Sequence, residues 1–483
     1  VAGAEVTITH AESGTVSRAT TDASGRYNAR GLRVGGPYTI TITKPGEGTK
    51  TEDGVYLNLN QVNTVNAALA GDVTTLQSVQ VMAVGGGSEV FSANKMGTGS
   101  NVTRETMDAL PSANRNIQDY IRLDPRISQV SKADGAISAG GQNTRYNAIR
   151  IDGIGAGDPF GLESNNLPTE RQPVSMDAIQ EINIDLANYD TTIYGGTGAV
   201  INAVTKSGTN EFHGTVYGSY RNRDDMVRRR LDTDKGDFNG FNDEKTYGMT
   251  FGGPIVKDKL FFFANYEKYE RSAPGVALGD TPYGKGSIND ADIKTVQDFM
   301  TGKGYDVGSL SAPDSKTDIE EYAVKLDWNI NENHRAALRY NKMEQNVMRF
   351  PGMASGTVSL SSYWYAQPKT YETWMGELFS DWSDNFSTEF KVSHKDYNAT
   401  RVPTVNLPQI RINGFGSNNS ALLLGTEQNT HVNIVESKEL SAFGSANWYI
   451  GDHTVKFGFD YSKNELMNFY GRNLNGVYEF NSL

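Results

Sequence analysis

The second half of the chain alternates between apolar and polar residues over many short segments. Between residues 320 and 330, one parity is apolar and carries Tyr322, Val324, Leu326, Trp328 and Ile330. The other parity is polar or small and carries Glu321, Ala323, Lys325, Asp327 and Asn329. Successive side chains of a strand point to opposite faces, so this pattern suits a strand that separates an apolar medium from a polar one. The alternation predicts a two-faced sheet.

The same design recurs in nine segments. We predict strands over residues 212–221, 245–253, 259–269, 320–330, 334–342, 373–382, 386–397, 440–450 and 453–463. Tight links, "PIVKD", "NEN", "SDN" and "GD", alternate with long links that contain residues 222–244, 270–319, 343–372 and 398–439. Outer-membrane barrels have short periplasmic turns and long outer loops. Trp328, Trp382 and Trp448 each lie just before a tight turn, as an aromatic belt at a membrane interface does.

The strand number predicts that the barrel is incomplete. Bacterial single-chain barrels have an even number of strands, and an open edge in lipid leaves unpaired backbone groups that cost several kcal/mol each. We therefore expect residues 210–483 to be the N-terminal part of a transmembrane antiparallel barrel, and the chain to be a fragment.

Composition excludes some classes of protein. The net charge of −12 argues against a nucleic-acid partner, and the short basic run of residues 228–230 is interpreted as a solvated loop. The chain has no cysteine, so disulfides and thiolate zinc sites are excluded. The sequence opens on "VAGAEVTIT", so we expect any signal peptide to have been removed or to lie outside it.

Two regions precede the barrel. Residues 1–73 carry the short strand-like segments "AEVTIT", "VSRATT", "GRYNAR", "YTITIT", "VYLNLN" and "TVNAAL", separated by turn residues, which predicts an Ig-like β-sandwich. Residues 74–209 mix two short helices, one capped by Thr103 and one opened by Asn114, with the strands "YNAIRIDGI" and "DAIQEINIDL". The fold class is therefore mainly β, with a small α/β domain between a sandwich and a barrel.

Three stretches resemble the TonB-dependent outer-membrane receptors. They are "LPSANRNIQDYIRLDPRI", "NTRYNAIRIDGIGAGDPFG" and "MDAIQEINIDLANYDTTIYGGTGAVINAVTKSGTNEFHGTVYG". The stretch "TDASGRYNARGLRVGGPYTITIT" resembles the carboxypeptidase-regulatory-like domain of the Oar-like group, with its first strand expected to be missing before Val1. The resemblance implies a barrel of about 22 strands with a plugged lumen. It also implies the outer membrane of a Gram-negative bacterium, a periplasmic N-terminal domain, and a plug that ends near residues 207–210.

The resemblance implies TonB, with its inner-membrane energising proteins, as a partner. In that family TonB pairs with an extended segment ahead of the plug and pulls on it, and strand addition needs little side-chain specificity. The candidate here is Leu76–Val84, with the pairing residues Leu76, Val79, Gln80, Val81 and Met82. Gln80 and Met82 depart from the usual E-x-V-V-V-T pattern, so a plain interdomain linker strand is the alternative.

The ligand is expected to meet the plug apex and the long loops. The candidate contact residues are Asp158, Phe160, Glu163, Asn165 and Asn166, for which a solvated loop is the alternative. Arg145 is a candidate partner in an ion pair between the plug and the barrel. The long loops at residues 270–319 and 398–439 favour a large extracellular ligand, a peptide, a protein or an oligosaccharide.

One metal site is considered. Asp232, Asp234 and Asp237 in "DTDKGDFNGFNDE" supply carboxylates two or three residues apart, a weak candidate for Ca²⁺. The glycine precedes the third aspartate, so the EF-hand register fails and an acidic solvated loop is favoured. No other cofactor is expected, and the six histidines lack metal-ligand spacing.

Two other functions compete with transport. An enzyme is disfavoured because the sequence has no H-x-x-E, no G-x-S-x-G, and no dinucleotide loop in a strand-to-helix setting. An outer-membrane adhesin or signalling receptor built on the same barrel without net transport stays open. The residues separate it poorly from a transporter.

Overall fold

The chain forms an N-terminal sheet, a small mixed domain and a large antiparallel sheet, in that order. A computed structural model describes residues 1–59, 62–69, 98–110, 112, 114–131, 135–186, 190–193, 195–227, 240–275, 278–310 and 313–482. No helix within these ranges is long and apolar enough to cross a membrane.

The N-terminal domain contains one antiparallel sheet of four strands. In spatial order the strands are Thr15–Thr20, Glu5–His10, Gly35–Lys44 and Gly48–Leu57. Its buried face carries Val6, Ile8, Tyr38, Ile40 and Ile42. The segments "GRYNAR" and "TVNAAL" cover this face without forming strands. The prediction of strands there was wrong. Alternating side chains indicate an apolar face, but a strand also needs a neighbouring strand to hydrogen-bond with.

The plug fills the space inside the large sheet. Its five-stranded sheet has the spatial order Thr98–Thr103, Ile179–Leu186, Ala199–Thr205, Ala148–Ile151 and Ile154–Gly155. A separate hairpin pairs Ile127–Gln129 with Ile137–Ala139. The helices are Arg104–Ala109 and Ile117–Ile121. Short 3₁₀ turns occupy Thr144–Tyr146 and Met176–Ala178. As predicted, Thr103 caps the first helix, and its hydroxyl accepts from the Thr106 amide at 3.3 Å.

The large sheet, here called the wall, contains nine sequential antiparallel strands. They are His213–Asn222, Asp243–Val256, Leu260–Pro274, Asp314–Asn329, His334–Arg349, Lys369–Ser383, Phe386–Thr400, Val432–Ile450 and His453–Gly471. The nine predicted strands and the four tight turns are confirmed. Most strands run further into the long links than alternation indicated, because the hydrogen-bond ladder continues where the apolar side loses its regularity.

The wall is apolar outside and polar inside. Val324 and Trp328 face outward and are 44% and 50% exposed. Glu321 and Lys325 face inward and are buried against the plug. Trp382 and Trp448 are also exposed beside tight turns, as the predicted belt requires. Water would favour the reverse arrangement, so this wall is built for a surrounding apolar medium.

The long links fold into a separate layer beyond the wall, here called the outer cap. Its sheet joins Thr357–Ser359, Ser420–Leu424, Gln409–Phe415 and Val477–Phe480. Its helix is Asp290–Gly302. Four short elements connect the cap and the wall: Leu278–Asp280, Ser361–Tyr363, Tyr365–Ala366 and Val402–Pro403. A π-helical turn at Arg223–Val227 follows the first wall strand.

The junction between plug and wall is tight. The last plug strand ends at Thr205 and the first wall strand begins at His213. A Cβ at Gly208 would lie 2.3 Å from the carbonyl oxygen of Phe262. Glycine is therefore required where the chain crosses from lumen to wall.

Replacing Val324 by arginine tests the orientation of the wall. An arginine near the middle of a lipid-facing barrel strand costs about 2–4 kcal/mol, although Val324 is already exposed. We expect the free energy of unfolding in lipid vesicles to fall by that amount. Phe299→Arg is the matched control, because Phe299 is 63% exposed on the cap helix and should tolerate the charge. Equal effects of the two substitutions would contradict the orientation.

Candidate functional site

The site is the contact between the plug and the polar inner face of the wall. Wall strands place charged side chains inward, and several are almost fully buried against plug residues: Glu267, Glu321, Lys325, Arg339, Lys369 and Lys395. Buried charges are tolerated only when they are paired and hydrogen-bonded. The partners of these groups therefore define how the plug is held.

Asp152 anchors the lower part of the plug. It lies in the turn after Ala148–Ile151 with a φ of +50°, and its carboxylate accepts from the Thr205 amide and the Thr205 hydroxyl, each at 2.8 Å. Arg339 of the wall donates to the same carboxylate at 2.7 Å, and both side chains are under 10% exposed. Lys325 donates to the Thr205 hydroxyl at 3.2 Å. One plug carboxylate is thus surrounded by two wall cations.

The cations set the protonation of Asp152. Burial by itself would raise the pKa of this carboxyl group. Lys325, Arg339 and the hydrogen bonds from Thr205 outweigh burial and hold the pKa below its ordinary value. The ion pair is therefore formed at neutral pH.

A second cluster forms around Arg171 of the plug. Its guanidinium lies 3.5 Å from the Glu267 carboxylate and stacks over the Tyr269 ring at 4.4 Å. Glu267 also accepts from the Tyr217 hydroxyl at 2.8 Å and from the Ser175 hydroxyl at 3.1 Å. The buried pair is fully enclosed by polar partners from plug and wall.

A second wall carboxylate lies beside this cluster. Glu321 accepts from Asn265 at 2.6 Å and from the Ser175 amide at 3.3 Å. Arg115 of the plug pairs with Asp177 and lies 4.4 Å from the centre of the Tyr217 ring. Two carboxylates of the wall therefore meet the plug at Ser175, whereas Arg115 pairs within the plug.

Nearer the outer cap, the loop of residues 158–171 is fixed to the wall. Glu163 pairs with the buried Lys369. Glu170 accepts from Arg349 at 3.3 Å, and its amide donates to Gln345 at 2.8 Å. Because these wall residues lie at the ends of strands remote from the tight turns, this loop is the apex of the plug.

The predicted apical contacts divide into different roles. The carboxylate of Asp158 accepts from the amides of Phe160, Gly161 and Glu163, so it shapes the loop. Asn165 and Asn166 are 1% and 8% exposed and hydrogen-bond to backbone carbonyls inside the plug. Their prediction as ligand contacts was wrong, because their amides satisfy buried carbonyls. Phe160, 38% exposed, is the member that faces outward.

Arg145 does not pair with the wall as the sequence predicted. It is exposed and donates to the carbonyl of Gly161 at 2.7 Å within the plug. Arg171 and Asp152 make buried ion pairs to the wall instead. Arg171 lies in a polar loop without strand periodicity, so the sequence offered no signal for it.

Other predicted residues lie outside the described ranges. These are the candidate pairing residues Leu76, Val79, Gln80, Val81 and Met82, and the candidate calcium ligands Asp232, Asp234 and Asp237. Within the described ranges, no group of three or more His, Asp or Glu side chains could hold a metal ion.

The outer cap was missed by the sequence analysis. Its core combines the apolar residues Ile288, Ile293, Val296, Val358, Leu360, Ile412, Phe415 and Leu422 from several long links. Asn289 and Asp292 form a capping box at the start of its helix. That box, followed by the apolar spacing of Ile293 and Val296, was the available signal.

Family models match most of the chain. The outer membrane beta barrel domain matches residues 204–285 and 295–483, and the carboxypeptidase regulatory-like domain matches residues 1–70. The TonB-dependent transporter Oar of Myxococcus xanthus is 28% identical over 338 residues, covering 66% of this chain and 30% of Oar. The probable TonB-dependent siderophore receptor PirA of Acinetobacter baumannii is 26% identical over 219 residues, covering 40% of this chain and 26% of PirA.

The chain therefore spans under a third of the length of these curated relatives. Solved structures share its fold. The outer membrane transporter YddB of Escherichia coli has a TM-score of 0.55 at 13% identity, with 76% of this chain and 48% of YddB covered. The ferric enterobactin receptor PfeA of Pseudomonas aeruginosa has a TM-score of 0.51 at 15% identity, with coverages of 76% and 49%.

Replacing Asp152 by asparagine tests the plug anchor. The change removes the counter-charge of the buried Arg339 guanidinium, and breaking a buried ion pair in this way typically costs about 3–5 kcal/mol. We expect that loss in the stability of the plug, measured by hydrogen exchange of the amides at residues 199–205. Asp108→Asn is the control, because the Asp108–Arg104 pair is on the surface and should contribute below about 1 kcal/mol. A small effect of Asp152→Asn would show that the ion pair does not hold the plug.

The same anchor predicts a pH dependence. Because the pKa of Asp152 is lowered in the folded protein, its stabilisation is fully present above the unfolded value of about 3.9 and is lost as the pH falls through the folded value. Plug stability of the parent should decrease between about pH 4 and more acidic conditions. The Asp152→Asn variant should lose the part of this dependence that Asp152 contributes. Identical pH profiles would contradict the assignment.

Proposed function

We propose that this chain, which belongs to the outer membrane β-barrel family, is a TonB-dependent receptor that takes up a large ligand through its plugged barrel by work transmitted from TonB. Its curated relatives are named as a TonB-dependent transporter and a probable TonB-dependent siderophore receptor, which supports transport over catalysis. The observation that carries the proposal is a plug held inside a polar wall by buried ion pairs.

The energetics of the plug explain why work is needed. Separating one member of a buried ion pair from its partner costs about 3–5 kcal/mol, several times the thermal energy. Two such clusters, around Asp152 and Arg171, hold the plug to the wall. Spontaneous opening is therefore rare, which keeps the membrane sealed. An external pull on the plug supplies what thermal motion does not.

In this proposal, TonB pulls on the segment between the N-terminal domain and the plug. We assign the pairing with TonB to Leu76–Val84, which precedes the plug strand Thr98–Thr103 in sequence. Strand addition engages the backbone, so the irregular residues Gln80 and Met82 are compatible with it. Force applied there enters the plug sheet at Thr98–Thr103, the edge strand that pairs with Ile179–Leu186.

The ligand enters from the side of the outer cap. The cap has its own apolar core and Phe160 at the plug apex is exposed, so we propose that the long links form a preorganised enclosure for the ligand there. An enclosure of this kind favours a peptide, protein or oligosaccharide. The relative PirA is named a siderophore receptor, which makes a siderophore the competing ligand class. Mass spectrometry of what copurifies with the full-length receptor decides between them, and siderophore alone would contradict a large ligand.

Proline and alanine at Val79 test the coupling to TonB. Val79→Pro removes a backbone donor and should abolish strand addition, whereas Val79→Ala keeps the donor and should be tolerated. We expect Val79→Pro to reduce uptake of the labelled copurifying ligand at least about tenfold while surface binding is unchanged, since a lost pairing strand removes several hydrogen bonds.

Two outcomes of these experiments would count against coupled transport. Uptake that survives both Val79→Pro and replacement of Leu76–Val84 by a glycine-serine segment of equal length would remove the coupled-transport proposal. Ligand binding without uptake in the parent, in cells that contain TonB, would favour an adhesin or signalling receptor.

A further inference from the structure

The N-terminal domain is docked on the tight-turn end of the wall. The turns at residues 257–259, 330–333, 384–385 and 451–452 form what is here called the rim. Arg18 donates to Glu332 at 2.9 Å, and Arg26 lies 2.8 Å from Asp452. All four of these side chains are more than 40% exposed. The outer part of this interface is therefore ionic and open to solvent.

The centre of the interface is buried and polar. Asn329, at the end of a wall strand, donates to the Thr15 hydroxyl at 2.7 Å. Arg335 donates to the Ser17 hydroxyl at 2.6 Å and to the carbonyl of Arg30 at 3.0 Å. These groups point into the lumen and find their partners on the N-terminal domain rather than on the plug. Each group also has a wall partner, since Asn329 donates to the carbonyl of Asp258 at 3.0 Å and Arg335 lies 3.7 Å from Asp381. The docked domain thus completes the hydrogen bonding of two wall side chains.

A cavity of about 1480 Å³ lies behind the docked domain. We call it the vestibule. Its lining includes Asp152 and Asn202 from the plug, Lys391 and Asn447 from the wall, and Arg33 from the N-terminal domain. Because all three parts of the molecule line it, the vestibule lies between the inner end of the plug and the N-terminal domain.

The chemistry of the interface suits reversible docking. Exposed ion pairs are weak and are screened by salt. Polar interfaces between domains of one chain are commonly mobile. The buried hydrogen bonds of Asn329 and Arg335 hold the domain in one position, and these groups regain water when the domain leaves. The contacts fix a closed state without making it permanent.

We propose that the N-terminal domain is a releasable periplasmic gate, which covers the vestibule against macromolecules while its arginines are paired with the rim. The periplasmic assignment rests on the proposed function. The closure itself is a property of the chain that can be tested without transport. A ligand leaving the plug would meet this second barrier, so release of the domain becomes a separate step after movement of the plug.

Thiol labelling of the full-length receptor tests the gate, because the chain described here has no cysteine. Asn447→Cys places a reporter in the vestibule, at a residue that is 5% exposed. The probe is a maleimide carrying a polyethylene glycol chain too wide to pass the docked domain. It is added to outer-membrane fragments with the periplasmic face open. Thr49→Cys, on the exposed edge strand of the domain, is the matched control reporter.

Charge reversal should open the gate. Glu332→Arg with Asp452→Arg replaces two attractions by repulsions, and we expect the vestibule reporter to react about tenfold faster. Adding Arg18→Glu and Arg26→Glu should return the rate toward that of the parent. The parent reporter should also react faster as salt is raised, a measurement that needs no rim variant. The control reporter should react at the same rate throughout.

Two results would overturn the proposal. A vestibule reporter that reacts as fast in the parent as in the charge-reversed receptor would show that the domain does not cover the vestibule. A reporter that stays slow after charge reversal and in high salt would show that the closure does not depend on the rim. Neither result depends on ligand uptake, so the uptake assay with the Val79 variants tests transport separately.

Discussion

A wall that is apolar outside and polar inside is the constraint from which the rest of this structure follows. Each wall strand pairs along its length with the next, because a backbone group left unpaired in lipid would cost several kcal/mol. The alternation of side chains then places Val324 and Trp328 toward lipid and Glu321 and Lys325 toward the lumen. Those inward charges cannot remain unpaired, so whatever fills the lumen must carry the complementary groups.

The plug is built to meet that requirement. Its core is apolar and draws one residue, Phe263, from the wall, while its surface brings Asp152 to Arg339 and Arg171 to Glu267. The ion pairs that fit the plug into the wall also raise the free energy needed to remove the plug. In the proposed function, a sealed membrane and a need for external work are two consequences of one set of contacts. The N-terminal domain repeats the principle at the rim, where weaker and more exposed pairs make release easier.

Sequence reasoning reached the parts of the molecule that depend on periodicity. The nine wall strands, the tight turns and the tryptophan belt follow from alternation, which the medium on each side imposes directly. It failed where the partner is distant in sequence. Arg145 and Arg171 are both arginines in polar plug loops, and only the assembled structure shows that Arg171 meets Glu267 while Arg145 stays at the apex. Asn165 and Asn166 resemble ligand contacts in sequence but serve buried carbonyls.

The outer cap shows the same limit. Each long link contributes only a few apolar residues to its core, too few to indicate a folded layer from any one link. The apolar core of the cap forms only because the wall strands bring the ends of the long links together. Local patterns therefore identify elements, whereas the contacts that hold and close the lumen depend on how the wall arranges them.

Depth-dependent fluorescence quenching tests the orientation of the wall most directly. Full-length receptors that keep only Trp328, Trp382 or Trp448 would be placed in vesicles of lipids brominated at defined depths along the acyl chain. If the wall is apolar outside and polar inside, all three tryptophans are quenched most strongly by bromines at the same shallow depth, near one interface. Quenching by iodide in the surrounding water, with none by brominated lipid, would contradict it.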